Sequence, residues 1–197
     1  MEYKTISDMF LGTTNEFSSK VLYSYKKNSE WIGIKGSDVR SVVKNLAAGL
    51  RAIGVEAGDK AAIISTNSPR WAMSDYGIIC NGSVTVTVYP TLLPAQIEYI
   101  LNNSDTKAIF VENQEQLNKI LGIKDKIDQL KNIIVMDDSQ ESPDDYIQNF
   151  SDFLDKGQAY ENNNDNKFSL TDISNSIKPD DLLTIIYTSG TTGNPKG

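Results

Sequence analysis

Between residues 39 and 135 the chain alternates between two periods. Short, continuously apolar runs alternate with segments whose apolar positions recur every three or four residues. This restricts the chain to a sheet flanked by helices. In the first periodic segment Val42, Val43, Leu46, Ala47, Leu50 and Ile53 fall on one face of a helix, and Gly54 follows as a stop. The run AAIIST comes next, then Ser68-Pro69, a cap followed by a residue with no amide to waste, which predicts a helix through Ile79. The strand VTVTVY, a Pro-led helix from Pro94 to about Asn102, the strand KAIFV, a helix over about Gln114 to Leu121 and the strand NIIVM complete the series. Strands apolar on both faces and separated by helices predict a mostly parallel sheet covered on both sides, an α/β fold with right-handed crossovers. Ahead of this series VLYSY and WIGIK read as a hairpin around KKNSE, where Asn28 and Ser29 suit the turn.

Two stretches break the pattern. DDSQESPDD (137–145) is too acidic to pack and is expected as a solvated loop; it lacks the glycine and the ligand spacing of a calcium loop. The Asn-rich YENNNDNKFSLTDISNS (160–176) is expected as a surface excursion. Apolar order returns at LLTIIY, read as a buried strand of six residues.

Composition excludes several chemistries. The chain of 197 residues has no histidine, so it cannot build a Ser-His-Asp or Cys-His site or a histidine-containing zinc site. Its one cysteine, Cys80, cannot form an intrachain disulfide and sits in the apolar run YGIIC, where a buried thiol is expected. A net charge of -7 opposes polyanions, so nucleic acid is not expected as a partner. No run approaches the roughly 18 to 20 apolar residues of a bilayer span, and the first residues, MEYKTISDMF, carry no basic leader or apolar signal core. The expected location is the cytoplasm. Chain-length preference, oligomeric state and membrane association are not legible at this level.

After LLTIIY the residues TSGTTGNPKG cannot continue a strand, because three glycines and Pro195 break it. In an open parallel sheet ligands collect beyond the carboxyl ends of strands, where this loop must emerge. Gly190 and Gly193 let main-chain amides approach closely, Thr188, Ser189, Thr191 and Thr192 offer hydroxyls, and Lys196 adds a positive charge, which together meet the needs of phosphate oxygens. The spacing is neither GxxxxGK[ST] nor GxGxxG. A Thr/Gly-rich hairpin turn has a similar composition.

YTSGTTGNPKG resembles, position for position, the phosphate-binding signature of the adenylate-forming superfamily, and NSPRW, YPT and QIEYILNNS resemble the N-terminal part of long-chain fatty acid-CoA ligases. The resemblance runs from WIGIK to Gly197 and is weakest in the Asn-rich stretch. It implies a fatty acid carboxylate attacking the α-phosphate of ATP, with Mg2+ accompanying the nucleotide, and displacement of AMP by coenzyme A. By this match Thr188, Ser189, Gly190, Thr191, Thr192, Gly193 and Lys196 cradle the β- and γ-phosphates. None of them is expected to form a covalent intermediate, and no metal ligand is assigned.

The resemblance further implies that residues 1–197 are an incomplete N-terminal portion of an AMP-binding domain and inactive alone, because the family's adenine, ribose and lysine motifs come later. It also leaves room for peripheral membrane contact in the longer protein. Activation of another carboxylate, such as an amino or aryl acid, and a noncatalytic nucleotide- or partner-binding module stay open. The aromatics Trp71, Tyr76, Tyr89 and Tyr99 are read as core in preference to an acyl tunnel.

Overall fold

The protein is described from a computed structural model, over residues 2–138, 146–163, 165, 167–188 and 195–197. Among these residues the chain forms α1 (Ile6–Glu16), a hairpin β1 (Val21–Lys27) and β2 (Glu30–Lys35), α2 (Gly36–Ala52), β3 (Lys60–Ile64), α3 (Pro69–Cys80), β4 (Val84–Val88) and α4 (Pro94–Asn103). β5 (Thr106–Val111), α5 (Gln114–Leu121), β6 (Asn132–Val135), β7 (Ile147–Asn149), α6 (Phe150–Asn162), α7 (Leu170–Ser176) and β8 (Thr184–Ile186) follow. Six strands form one sheet in the order β7-β6-β5-β3-β4-β8. Every pairing within it is parallel, as the doubly apolar strands require.

Alternate residues of each strand serve opposite faces. Ala61, Ile63, Ala108, Phe110 and Ile134 pack against α2, α3 and α6. Ala62, Ile64, Ile109, Val111, Ile133 and Val135 pack against α4 and α5. Fully burying each large aliphatic or aromatic side chain stabilises the fold by about 1.5–3 kcal/mol, so these two layers dominate its stability. Local signals fix the boundaries. Ser68 Oγ accepts from the Trp71 amide at 3.1 Å and starts α3. Gly54, at φ +78°, closes α2 in a left-handed turn that a side chain would strain. Asn28 and Ser29 take φ 50° and 68° at the tip of the antiparallel hairpin, the backbone of a type I′ turn. Cys80 is buried, and burial pushes its thiol up to about 12.

Four expectations change. LLTIIY is not a buried strand of six: β8 spans Thr184–Ile186, and Leu182 and Ile186 are exposed while Tyr187 is buried. Among the described residues it lies at the sheet edge and pairs only with β4, so one flank lacks a strand partner and the face of Thr184 and Ile186 is exposed, while Ile185 packs on the layer of α4 and α5. Residues 160–176 are not a simple surface excursion. α6 continues to Asn162, and Ser169 caps α7, whose Leu170 and Ser174 are buried, Ser174 accepting from Ser7 Oγ at 2.9 Å. In the acidic stretch 137–145, residues 139–145 lie outside the described residues, but Asp138 is tied in place. It pairs with the Arg70 guanidinium and accepts from the Ser151 amide at 3.0 Å. Burial alone would raise its pKa, but these donors outweigh burial and hold the carboxyl below its usual range. Tyr89, read as core, is 66% exposed, because it stands just past the end of β4.

The tightest helix contact joins α2 and α6. A Cβ on Gly157 would lie 1.9 Å from the Asn45 carbonyl oxygen, and one on Gly49 would meet the Phe153 ring at 2.9 Å. Gly157→Ala is therefore expected to lower unfolding free energy by about 3 kcal/mol or more, read as a fall in the urea midpoint. A second outcome concerns Asp75, half-buried on α3 beside Tyr23, Tyr76 and Cys80, with Thr85 Oγ1 donating to it at 2.7 Å. Burial raises its pKa against the opposing effect of the Thr85 bond. The unfolded carboxyl ionises near pH ~4 and the folded one at a higher pH, so the wild type loses stability as pH rises through that interval. Asp75→Asn should raise the melting temperature at pH 7 and lose that advantage as pH falls below about 4.

Candidate active-site cleft at the carboxyl end of the sheet

The connections leaving the sheet decide where it can open. β3 runs into α3 on one face, whereas its neighbours β4 and β5 run into α4 and α5 on the other. The chain therefore parts on both sides of the β3 carboxyl end, and crevices of this kind take ligands in parallel sheets.

The two crevices are not equivalent. On the β5 side Glu112 closes the gap: its Oε2 accepts from the Thr66 amide at 3.0 Å and its Oε1 from the Thr66 hydroxyl at 2.6 Å. On the β4 side a cleft of about 450 Å3 remains, between Ser65, Thr66 and Asn67 after β3, Tyr89 and Pro90 after β4, the Trp71 ring of α3 and Ile186 of β8. A second hollow of about 310 Å3 lies across Tyr89, bounded by Gln96 and Ile100 of α4 and by Tyr187, Thr188 and Pro195. Tyr89 borders both. Lys119 Nζ donates to the Pro90 carbonyl at 2.6 Å, which fixes the turn that carries the tyrosine.

The end of β8 is anchored beside these hollows. Tyr187 donates its hydroxyl to Asn103 Oδ1 at 2.6 Å, tying the strand end to the last turn of α4. Thr188 and Lys196 then form an isolated antiparallel bridge, each amide donating to the other's carbonyl at 3.0 and 3.1 Å. This neck brings Lys196, exposed, back to the strand from which the chain departed. Gly197 lies so close that a Cβ would meet Ile185 Cγ2 at 2.7 Å and the Tyr187 ring at 2.9 Å.

Of the seven residues expected to hold phosphate, Thr188 and Lys196 are brought together here. Ser189, Gly190, Thr191, Thr192 and Gly193 lie outside the described residues. The antiparallel bridge is compatible with both readings of the sequence, a turn and a phosphate loop. Sequence reasoning did not find Glu112 or Asn103; a lone carboxylate after a strand and an asparagine at a helix end carry no local signature.

Gly197→Ala is expected to open the neck while sparing the core. The Thr188 and Lys196 amides should exchange hydrogen more than about tenfold faster, and the two layers around β3 should keep their protection.

Residues 14–197 match the family described as AMP-binding enzyme. The chain is 31% identical over 193 residues to the long-chain-fatty-acid–CoA ligase ACSBG2 of Xenopus laevis, covering 98% of this chain and 25% of that protein. It is 25% identical over 196 residues to the long-chain-fatty-acid–CoA ligase FadD15 of Mycobacterium bovis, covering 100% of this chain and 31% of that protein. The chain thus spans about a quarter to a third of the length of these relatives. In fold it is similar to the anthranilate CoA ligase AuaEII, with a TM-score of 0.79 at 21% identity, over 99% of this chain and 34% of that one. It is likewise similar to a long-chain-fatty-acid-CoA ligase from Archaeoglobus fulgidus, with a TM-score of 0.73 at 20% identity, over 100% of this chain and 37% of that one.

Proposed function

The chain belongs to the AMP-binding enzyme family, and from that premise we propose that the protein carrying it activates a long-chain fatty acid with ATP and transfers the acyl group to coenzyme A. The observation that carries this reading is the Thr188–Lys196 neck, a backbone bridge just past the carboxyl end of β8 that pairs an exposed lysine with a threonine bordering the hollow of about 310 Å3. The long-chain ligases among its relatives support the choice of acid.

The groups present suit a nucleotide's phosphates. Among the described residues no carboxylate lies within 4.0 Å of Lys196 to neutralise it, and Gly197 holds the neck flat against β8 where a side chain would lift it away. When bound, ATP with its Mg2+ supplies an electrophilic α-phosphorus and a pyrophosphate leaving group. The chain's own part is to bind and orient. Lys196 neutralises and Thr188 donates a hydrogen bond, with Ser189, Gly190, Thr191, Thr192 and Gly193 proposed as the further donors of the same loop. Each charge-assisted hydrogen bond contributes about 1.5–3 kcal/mol, enough for several to outweigh an acidic surface whose field salt screens over about 10 Å. No residue of this chain is proposed to bond covalently to the acyl group.

The test uses the protein at its full natural length with ATP, Mg2+, coenzyme A and a panel of acids. Acid-dependent pyrophosphate and acyl-CoA should appear with acids of palmitate length, in preference to aryl and amino acids. Lys196→Ala should slow the pyrophosphate-forming step about 10- to 100-fold with the melting temperature unchanged, because the side chain is exposed. No acid-dependent pyrophosphate, equal turnover of aryl or amino acids, or equal losses of rate and stability in the variant would refute this reading.

A further inference from the structure

The β1–β2 ribbon turns one face to the core, and no described residue packs over the other. Opposed residues of an antiparallel pair share a face. Tyr23 opposes Ile34, and both pack on the apolar cluster that contains Phe10 and Phe110. Lys26 opposes Trp31, Ser24 opposes Gly33 and Val21 opposes Lys35, so these six make the outer face. All six are exposed. Trp31 is 71% and Val21 56% exposed, a combination that water does not favour and that nothing in the local fold requires.

The charge on the ribbon contrasts with that of the chain. Residues 17–35 hold four lysines, Lys20, Lys26, Lys27 and Lys35, against one carboxylate, Glu30, in a chain of net charge -7. Glu30 opposes Lys27 and therefore belongs to the inner face. Lys26 Nζ lies 5.7 Å from the Trp31 ring centroid, so cation and indole stand side by side on the bare face. Lys20, also exposed, sits at the ribbon's open end, where its carbonyl accepts from the Gly36 amide at 2.9 Å, and Phe17 is exposed next to it.

We propose that this outer ribbon face docks on an anionic lipid bilayer, with Trp31 and Val21 entering the headgroup layer and Lys20, Lys26 and Lys35 meeting the lipid phosphates. Charge complementarity selects the partner. The acidic surface of these 197 residues would repel a negative membrane except at a local basic face, so the ribbon orients this part of the protein as well as making the contact. Indole rings settle at the membrane–water interface, and lysine stems extend along apolar surface while their ammonium groups reach outward. A bilayer offers negative charge and an apolar layer in one plane, which suits an exposed ribbon face that carries lysines beside an indole. One indole with three or four lysines gives weak, reversible attachment. The proposal stands whether or not the protein activates a fatty acid.

The test is co-sedimentation of the protein with vesicles of phosphatidylcholine, with and without phosphatidylglycerol, at 50 and 300 mM salt. Binding should require the anionic lipid and weaken at the higher salt. Each lysine neutralised should weaken it about 5-fold, so Lys26→Gln with Lys35→Gln should lose about 25-fold, and Trp31→Ser several-fold. Because these side chains are exposed, the melting temperatures should stay at the wild-type value. In a background where every tryptophan of the protein other than Trp31 is replaced by phenylalanine, Trp71 among them, the Trp31 emission should shift to the blue with anionic vesicles. Absence of binding at 50 mM salt, binding indifferent to both variants, or an unshifted Trp31 emission would overturn the proposal. So would equal binding to polyglutamate, or a lipid-free dimer abolished by Trp31→Ser, which would assign the face to a protein partner or a second copy.

Discussion

The pairing of β3 with two parallel neighbours at once is the constraint from which the other features follow. Its residues Lys60–Ile64 bond to β4 on one side and β5 on the other, so each strand residue must serve one of two buried layers. That requirement removes polar side chains from Ala61 through Ile64 and forces connections long enough to return the chain to the starting edge. Helices supply that length, and they must lie on both faces. The split of connections at the end of β3 is thus a product of topology, and the cleft between β3 and β4 arises without any residue being selected for it.

What the residues add is a choice between openings. Glu112 lies one position beyond β5 and spends both carboxylate oxygens on Thr66, which removes the β3–β5 crevice and fixes the loop that walls the other. Lys119 and Asn103 do similar work on the far wall, the first through the Pro90 carbonyl and the second through the Tyr187 hydroxyl. Glu112 and Lys119 each hold a backbone group of a loop, whereas Asn103 holds the side chain at the end of β8. The loops that wall the cleft are therefore held in place, and Thr188 of the neck borders the neighbouring hollow that Tyr89 shares with it.

The sequence made the central sheet legible because there the local and the global signals coincide. Val42 to Ile53 carry helical spacing and also face the core, and Ser68-Pro69 caps a helix that packing requires. α6 escaped notice because its core face is Phe150, Phe153 and Gly157, a helical series in which the last position is a glycine chosen for closeness to Asn45 and not for hydrophobicity. α7 was hidden by asparagine-rich flanks, and only Ser169 three residues ahead of Asp172 marked its start. β8 failed in the opposite sense. Its apolar composition signalled burial, but composition reports what a strand is able to bury and not whether a neighbour is at hand, and at the edge Ile186 stays 55% exposed. The cleft's lining was legible only as aromatic content, since Trp71 and Tyr89 show no spacing that separates a core from a wall.

Charge placement ties the two ends of the described chain together. A net charge of -7 sets a field that disfavours every anion at long range, so any anionic ligand has to be met by a local inversion. Among the described residues two such inversions stand out, and their chemistry differs. At the neck main-chain bonds hold the backbone of one exposed lysine beside Thr188 and Gly197, an arrangement suited to a few converging oxygens of a small ligand. On the ribbon several ammonium groups spread over a flat face with an indole between them, which suits a surface and could not converge on one phosphate. Salt separates them: a screening length of about 10 Å erodes contacts among spread, solvated charges sooner than a hydrogen-bonded contact at short range. Attachment through the ribbon should thus be the more salt-sensitive property, and chemistry at the cleft the less.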